Sequence, residues 1–192
     1  MITLGLLPLG APPEEVLDGL AAGLRDAFGM PTRRVPGLVD PPEAFDGDRE
    51  QWSAVVMLRA LLERPATEGG RLLGVTERDL FVPVLSFVYG QAQLRGRVAV
   101  ISLARLRPEF HGLRPDPALV AQRAVKVAVH EVGHTFGLVH CLDRRCPMAL
   151  SLGLDDLDYK TAAPCASCTA LLAESLDMPE RAPGPTRSGG SP

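Results

Sequence analysis

The chain has 192 residues, 46% of them apolar and 22% charged, which is the composition of an ordinary globular domain with room for one proper core. A net charge of −3 and no basic stripe interleaved with aromatics argue against a nucleic-acid partner. No stretch reaches the roughly 18 uninterrupted apolar residues of a membrane span, so no membrane partner is expected.

The opening run from Ile2 to Leu9 lacks a basic start and is broken by Gly5 and Pro8. It reads as a first β-strand and not as a signal peptide, and a cytoplasmic location is the expectation. Glu14 and Glu15 then open a helix whose inner face is Val16, Leu17, Leu20, Leu24 and Phe28, ended by Gly29. Residues 30–48 read as a strand and loop. Trp52, Val55, Val56, Leu58, Leu61 and Leu62 give a second helix, closed by Pro65.

Arg71 to Thr76 is short, apolar and bounded by turn residues, as a buried strand is. Val84–Tyr89 and Val98–Leu103 are two further β-rich runs, joined by a hairpin-like loop. Strands separated by helices and then strands close together predict an α/β (α+β) fold with a mixed sheet backed by helices.

The longest helix is the best defined. Asp116 is its expected N-cap and Pro117 its first residue, and the apolar pattern runs on to Phe136 and a stop at Gly137. Past Gly137 the chain turns loop-like and cysteine-bearing until about Cys168, with a short helix expected over residues 169–178. The tail from Pro179 has nothing to bury and is expected to be disordered. These limits give a single domain over residues 1–178. A monomer is expected.

The chemistry lies in His130-Glu131-Val132-Gly133-His134-Thr135-Phe136-Gly137-Leu138-Val139-His140. Histidines at i and i+4 share one helix face and can reach one metal. Gly137 allows the sharp turn that returns His140 as a third ligand. Three protein ligands leave one tetrahedral position for water, the arrangement of a catalytic zinc. Glu131, beside the first ligand, is placed as general base and later as proton donor to a leaving amine. The fourth histidine, His111, reads as a surface residue.

Cys141, Cys146, Cys165 and Cys168 fit a closed, structural four-thiolate zinc site, so two zinc ions are expected in all. A redox Cys-x-x-Cys and disulfides are the competing readings. Met148, from its own context, is a gap-filling core methionine. Tyr159 could assist an oxyanion, but reads more readily as an ordinary packed or exposed tyrosine.

Taken together these residues resemble the archaemetzincins of the metzincin clan. The family pattern is His-Glu-x-x-His-x-x-Gly-x-x-His-Cys, then Cys-x-Met, then Cys-x-x-Cys. It is met by His130, Glu131, His134, Gly137, His140, Cys141, Cys146, Met148, Cys165 and Cys168, with a final spacer one residue shorter here. Leu73-Gly74-Val75-Thr76, Phe87-Val88-Tyr89-Gly90 and Ser102-Leu103-Ala104-Arg105-Leu106 are also similar to the family. The resemblance implies a single catalytic domain with a metzincin-like twisted mixed sheet, a backing helix and an active-site helix in an upper subdomain (residues 1–137), and a small zinc-stabilised lower subdomain (residues 138–178). It also implies that Met148 is the methionine of a turn beneath the zinc, and that residues 84–90 form a cleft-edge strand pairing with extended substrate. Zinc-dependent hydrolysis of peptide bonds follows, with aminopeptidase-like activity known among family members. A metal-stabilised peptide-binding module without turnover and a zinc hydrolase of non-peptide amides or esters are the alternatives.

Overall fold

The computed structural model describes residues 2–65 and 70–177. The expected disordered tail lies outside them. Strand β1 (Leu4–Leu9) leads into helix α1 (Glu14–Phe28), followed by the short strands β2 (Thr32–Arg34), β3 (Phe45–Asp46) and β4 (Gln51–Ser53). Helix α2 (Ala54–Leu62) precedes β5 (Arg71–Thr76), β6 (Leu80–Val82), β7 (Leu85–Val88), β8 (Gly90–Ala92) and β9 (Val98–Ser102). Helices α3 (Pro117–Thr135), α4 (Leu154–Tyr159) and α5 (Ala166–Asp177) complete the order.

The main sheet runs β2-β1-β5-β9-β8, with β2, β1, β5 and β9 parallel and β8 antiparallel on the edge. Its central strands alternate between two buried faces, which is why they read as continuous apolar runs. Leu4, Leu6, Leu73, Val75, Ala99 and Ile101 face α1 and α3, whereas Leu7, Leu9, Val98 and Val100 face α2. The two helices on the first face approach closely because α1 offers glycines. A β-carbon at Gly23 would lie 2.5 Å from Val125 of α3. Gly74 serves the other face, where a β-carbon would meet Leu61 of α2 at 2.8 Å.

A second, smaller sheet has the order β3-β4-β6-β7. It departs from the sequence expectation. The run expected over 84–89 is β7, at the edge of the small sheet, and the start of the expected loop after it is a strand of its own, β8, at the edge of the main sheet. The hairpin onto β9 is therefore made by residues 90–92. Trp52 belongs to β4, and α2 begins after Ser53, whose side chain accepts from the Val56 amide. Helix α4 interrupts the stretch expected as loop, and α5 starts at Ala166, before residue 169. Among the described residues no helix is long and apolar enough to cross a membrane.

Candidate metal centres and active site

Helix α3 forms as its sequence requires. Asp116 caps it by accepting from the Leu119 amide at 2.9 Å, and Pro117 opens it. Its far end is a Schellman turn: Gly137 has φ +90°, its N–H donates to the His134 carbonyl at 2.9 Å, and Leu138 N–H donates to Gly133 O at 3.1 Å. The loop between β8 and β9 clamps this end. Arg95 N–H donates to His134 O at 3.0 Å, and a β-carbon at Gly137 would meet Arg95 Cγ at 2.9 Å.

That turn returns the chain so that His130, His134 and His140 converge. One ligand-capable nitrogen from each lies within 4.8 Å of the others. The Nε2 atoms of His130 and His134 are 3.0 Å apart, and the His140 ring centroid is 5.3 Å and 5.2 Å from the other two. The Nδ1 atoms are taken by backbone carbonyls: His130 with Pro147 O at 2.8 Å, His134 with Leu138 O at 2.7 Å. A ring whose Nδ1–H donates to a carbonyl keeps Nε2 as the lone-pair nitrogen a metal needs. Burial holds the His130 imidazole down at about 3 and lowers His134 as well, so both rings are neutral at physiological pH.

Glu131 is buried among these groups. Desolvation pushes its carboxyl up to about 8, against the opposing charge of Lys160. Its place is fixed from the sheet side by Gly90 of β8, where a β-carbon would sit 2.6 Å from Glu131 Cγ and 2.8 Å from Oε1. From below, Met148 packs on the helix backbone; a β-carbon at Gly133 would lie 2.5 Å from its sulfur. With Pro147 holding His130, the 147–148 turn thus touches α3 at two points.

The four cysteines gather below the histidines. Cys141 and Cys165 sulfurs are 3.8 Å apart and Cys146 and Cys168 sulfurs 3.7 Å, so no disulfide is present among them. Zn–S bonds of about 2.3 Å in a tetrahedron require S···S edges of about 3.8 Å. These thiols therefore fit a zinc ion. The segment between them is tied by Cys141 N–H to Met148 O at 3.0 Å.

Above the histidines lies a cleft of ≈ 820 Å³, walled by β7 and β8 on one side and by residues of α3, α4 and the 139–152 segment on the other. Gln51 Nε2 donates to Ser86 O at 2.9 Å, and Arg105, paired with Asp79 at 2.7 Å, stacks over Phe87, which fixes the β7 rim. His111 is on the exposed surface, its Nε2 3.0 Å from Arg105 O, and Tyr159 is exposed and does not line the cleft.

The same residues carry a match to known proteins. The model of peptidase family M54 matches residues 67–174. The chain belongs to the archaemetzincins. It is 40% identical over 167 residues to the archaemetzincin of Methanocaldococcus jannaschii, covering 87% of this chain and 90% of that one. The crystal structure of archaemetzincin from Methanopyrus kandleri superposes with a TM-score of 0.82 at 35% identity, covering 92% and 96% of the two chains. A zinc-dependent peptidase from Methanocorpusculum labreanum matches with a TM-score of 0.79 at 30% identity, over 90% and 100%. As an archaemetzincin the chain is a zinc metallopeptidase.

Sequence reasoning did not single out Gly90, Gly133, Lys126 or Lys160. The two glycines matter only through contacts across 41 and 15 positions of chain respectively, to Glu131 and Met148. The two lysines carry no spacing signal at all.

Proposed function

We propose that this archaemetzincin cleaves peptide bonds within extended chains laid along the cleft. In this reading His130, His134 and His140 hold a catalytic zinc, Glu131 is the general base, and a second, structural zinc is held by Cys141, Cys146, Cys165 and Cys168. The observation that carries the reading is the buried carboxylate of Glu131 beside three converging imidazoles at the floor of a cleft. A zinc ion held there would supply a Lewis acid that polarises the scissile carbonyl and acidifies a coordinated water. Glu131 accepts the proton from the attacking water and delivers it to the departing amine. The carbonyls of Pro147 and Leu138 keep the imidazoles oriented, and the Met148 turn supports the helix below them.

The substrate is expected to pair along β7, the edge strand of the small sheet, by strand addition. Exposed Leu85, Leu94, Val139, Leu150 and Leu152 on the cleft lips suit apolar residues of a bound peptide. Aminopeptidase-like action would need an acidic partner for the substrate's α-ammonium group. Among the described residues lining the cleft Glu131 is the sole carboxylate, which favours cleavage inside a chain. The chain is read as one catalytic domain with Gly137 dividing an upper from a lower subdomain.

The test is Glu131→Gln in zinc-replete protein assayed on a peptide library. Hydrolysis should fall by about 10²–10⁴-fold with zinc content unchanged. Full activity in that variant would refute the mechanism. Wild-type protein that binds library peptides but cleaves none would instead be a binding module.

A further inference from the structure

One end of the cleft carries a charge arrangement that the hydrolytic machinery does not use. Lys126 lies on α3 one turn before His130, and Lys160 follows α4; both line the cleft. Lys126 Nζ donates to Leu157 O at 3.2 Å and Asp158 O at 3.0 Å. Lys160, only 5% exposed, donates to Ala149 O and, at 3.5 Å, to Pro147 O. These partners are neutral carbonyls, which do not neutralise the ammonium groups, and each has a third donor beyond the two bonds described. Neither lysine forms an ion pair among the described residues. Of the neighbouring acidic groups, Asp158 is engaged by Arg123 at 2.6 Å and Asp156 by Arg144 at 3.3 Å, and Glu131, whose charge Lys160 also feels, forms no ion pair with it.

The cleft lining that the two lysines share includes the apolar Val127, Leu157 and Pro147. Low-dielectric walls strengthen the field of a charge that has no direct ion-pair partner. Burial lowers the pKa of both lysines, which is the physical sign that their charge is held at a cost. An anion entering the cleft would offset that cost.

We propose that this end of the cleft is a carboxylate-recognition subsite, where Lys126 and Lys160 bind an acidic side chain or the free C-terminus of the substrate peptide. The proposal rests on the peptidase reading above. Four residues of helix cover about 6 Å, and an extended peptide advances about 3.3 Å per residue. The recognised carboxylate therefore falls within about two residues of the scissile bond.

Binding separates this proposal from turnover. Zinc-replete Glu131→Gln protein would be titrated with fluorescently labelled extended peptides carrying Glu or Gln at each position, with free or amidated C-termini. The carboxylate form should bind about tenfold more tightly than its amide at one position, from the strength of a charge-assisted hydrogen bond in a partly open site. Glu at an internal position identifies an acidic side chain; a gain only from the free terminus identifies the C-terminal carboxylate. Lys126→Gln and Lys160→Met should each reduce the discrimination, and Lys126→Arg, which restores the charge, should retain it. Equal binding of acid and amide would overturn the proposal. A preference that survives both lysine substitutions, as it would if the metal alone bound the carboxylate, overturns it too. Wild-type protein that fails to cleave the tightest-binding peptide would refute the peptidase reading and leave the subsite standing.

Discussion

Gly90 of β8 and Glu131 of α3 meet so closely that a single added carbon cannot be placed between them. A β-carbon at residue 90 would lie 2.6 Å from Glu131 Cγ and 2.8 Å from the Val100 carbonyl oxygen, so neither side can yield cheaply. The sheet edge thereby sets where the Glu131 carboxylate sits.

Gly90→Ala should therefore displace the Glu131 carboxylate without touching the metal ligands. Misplacement on the order of 1 Å costs about 10²-fold in rate. The expected result is a fall of that size in kcat at unchanged zinc content, measured by peptide hydrolysis beside elemental analysis. Activity within about twofold of wild type would show that the carboxylate tolerates the shift.

What the sequence made legible follows from the range of each signal. The α3 helix, its cap at Asp116 and its stop at Gly137 rest on local patterns, and they appear where the periodicity places them. The three histidines and four cysteines come together because fixed spacings encode a helix face and a turn. Strand β8 was not legible. Residues 90–92 begin with a glycine and read as loop, and only their pairing with β9, while β7 pairs with β6, makes them a strand. The short β6 and α4 are set by tertiary packing, with Leu80 and Leu157 buried under the rim and the wall of the cleft. Lys160 was invisible for a related reason: a lysine in a polar stretch declares its burial only when the fold closes over it.

Zinc content should be two per chain in metal-replete protein, and it should drop to one by two separate routes. His130→Ala/His134→Ala removes the ion of the cleft and leaves the fold intact. Cys165→Ser removes the other, and because the 141–168 segment is organised around those sulfurs it should cost several kcal/mol, or roughly 10 °C in Tm. Elemental analysis with thermal melts checks both. Equal thermal losses in the two variants would argue against a purely structural role for the cysteine site.

Gly133 and Met148 should behave as a coupled pair. The Met148 sulfur occupies the space a side chain at 133 would need, with Leu138 Cδ1 also at 3.3 Å. Gly133→Ala should destabilise by about 1–3 kcal/mol through overpacking. Adding Met148→Ala should cost less in that background than it does alone, because the new methyl occupies part of the cavity. Urea unfolding of the four proteins in the cycle measures the coupling, and strict additivity would show that the turn does not bear on the helix.

The wall of the cleft opposite β7 is braced by an ion pair. Arg123, buried on α3, forms a bidentate pair with Asp158 of α4, at 2.8 Å and 2.6 Å, and donates a third bond to Leu106 O at 2.9 Å. The Arg123 hydrogen bond is the main reason the Asp158 carboxyl lies below its ordinary value of 3.8. A depressed carboxylate pKa means the folded state binds the proton less readily than the unfolded chain. The pair's contribution is therefore full above about pH 4 and is lost as pH falls through the lower folded value. Asp158→Asn leaves a buried guanidinium without its anion and should cost about 2–3 kcal/mol at neutral pH, tempered by the partial exposure of the carboxylate. Below that window the variant and wild type should converge, as measured by urea unfolding at neutral and acidic pH. Because α4 carries Leu157 and leads to Lys160, the same variant should weaken substrate binding more than it weakens zinc binding. A uniform loss of both would place the pair's effect in global stability and not in the cleft wall.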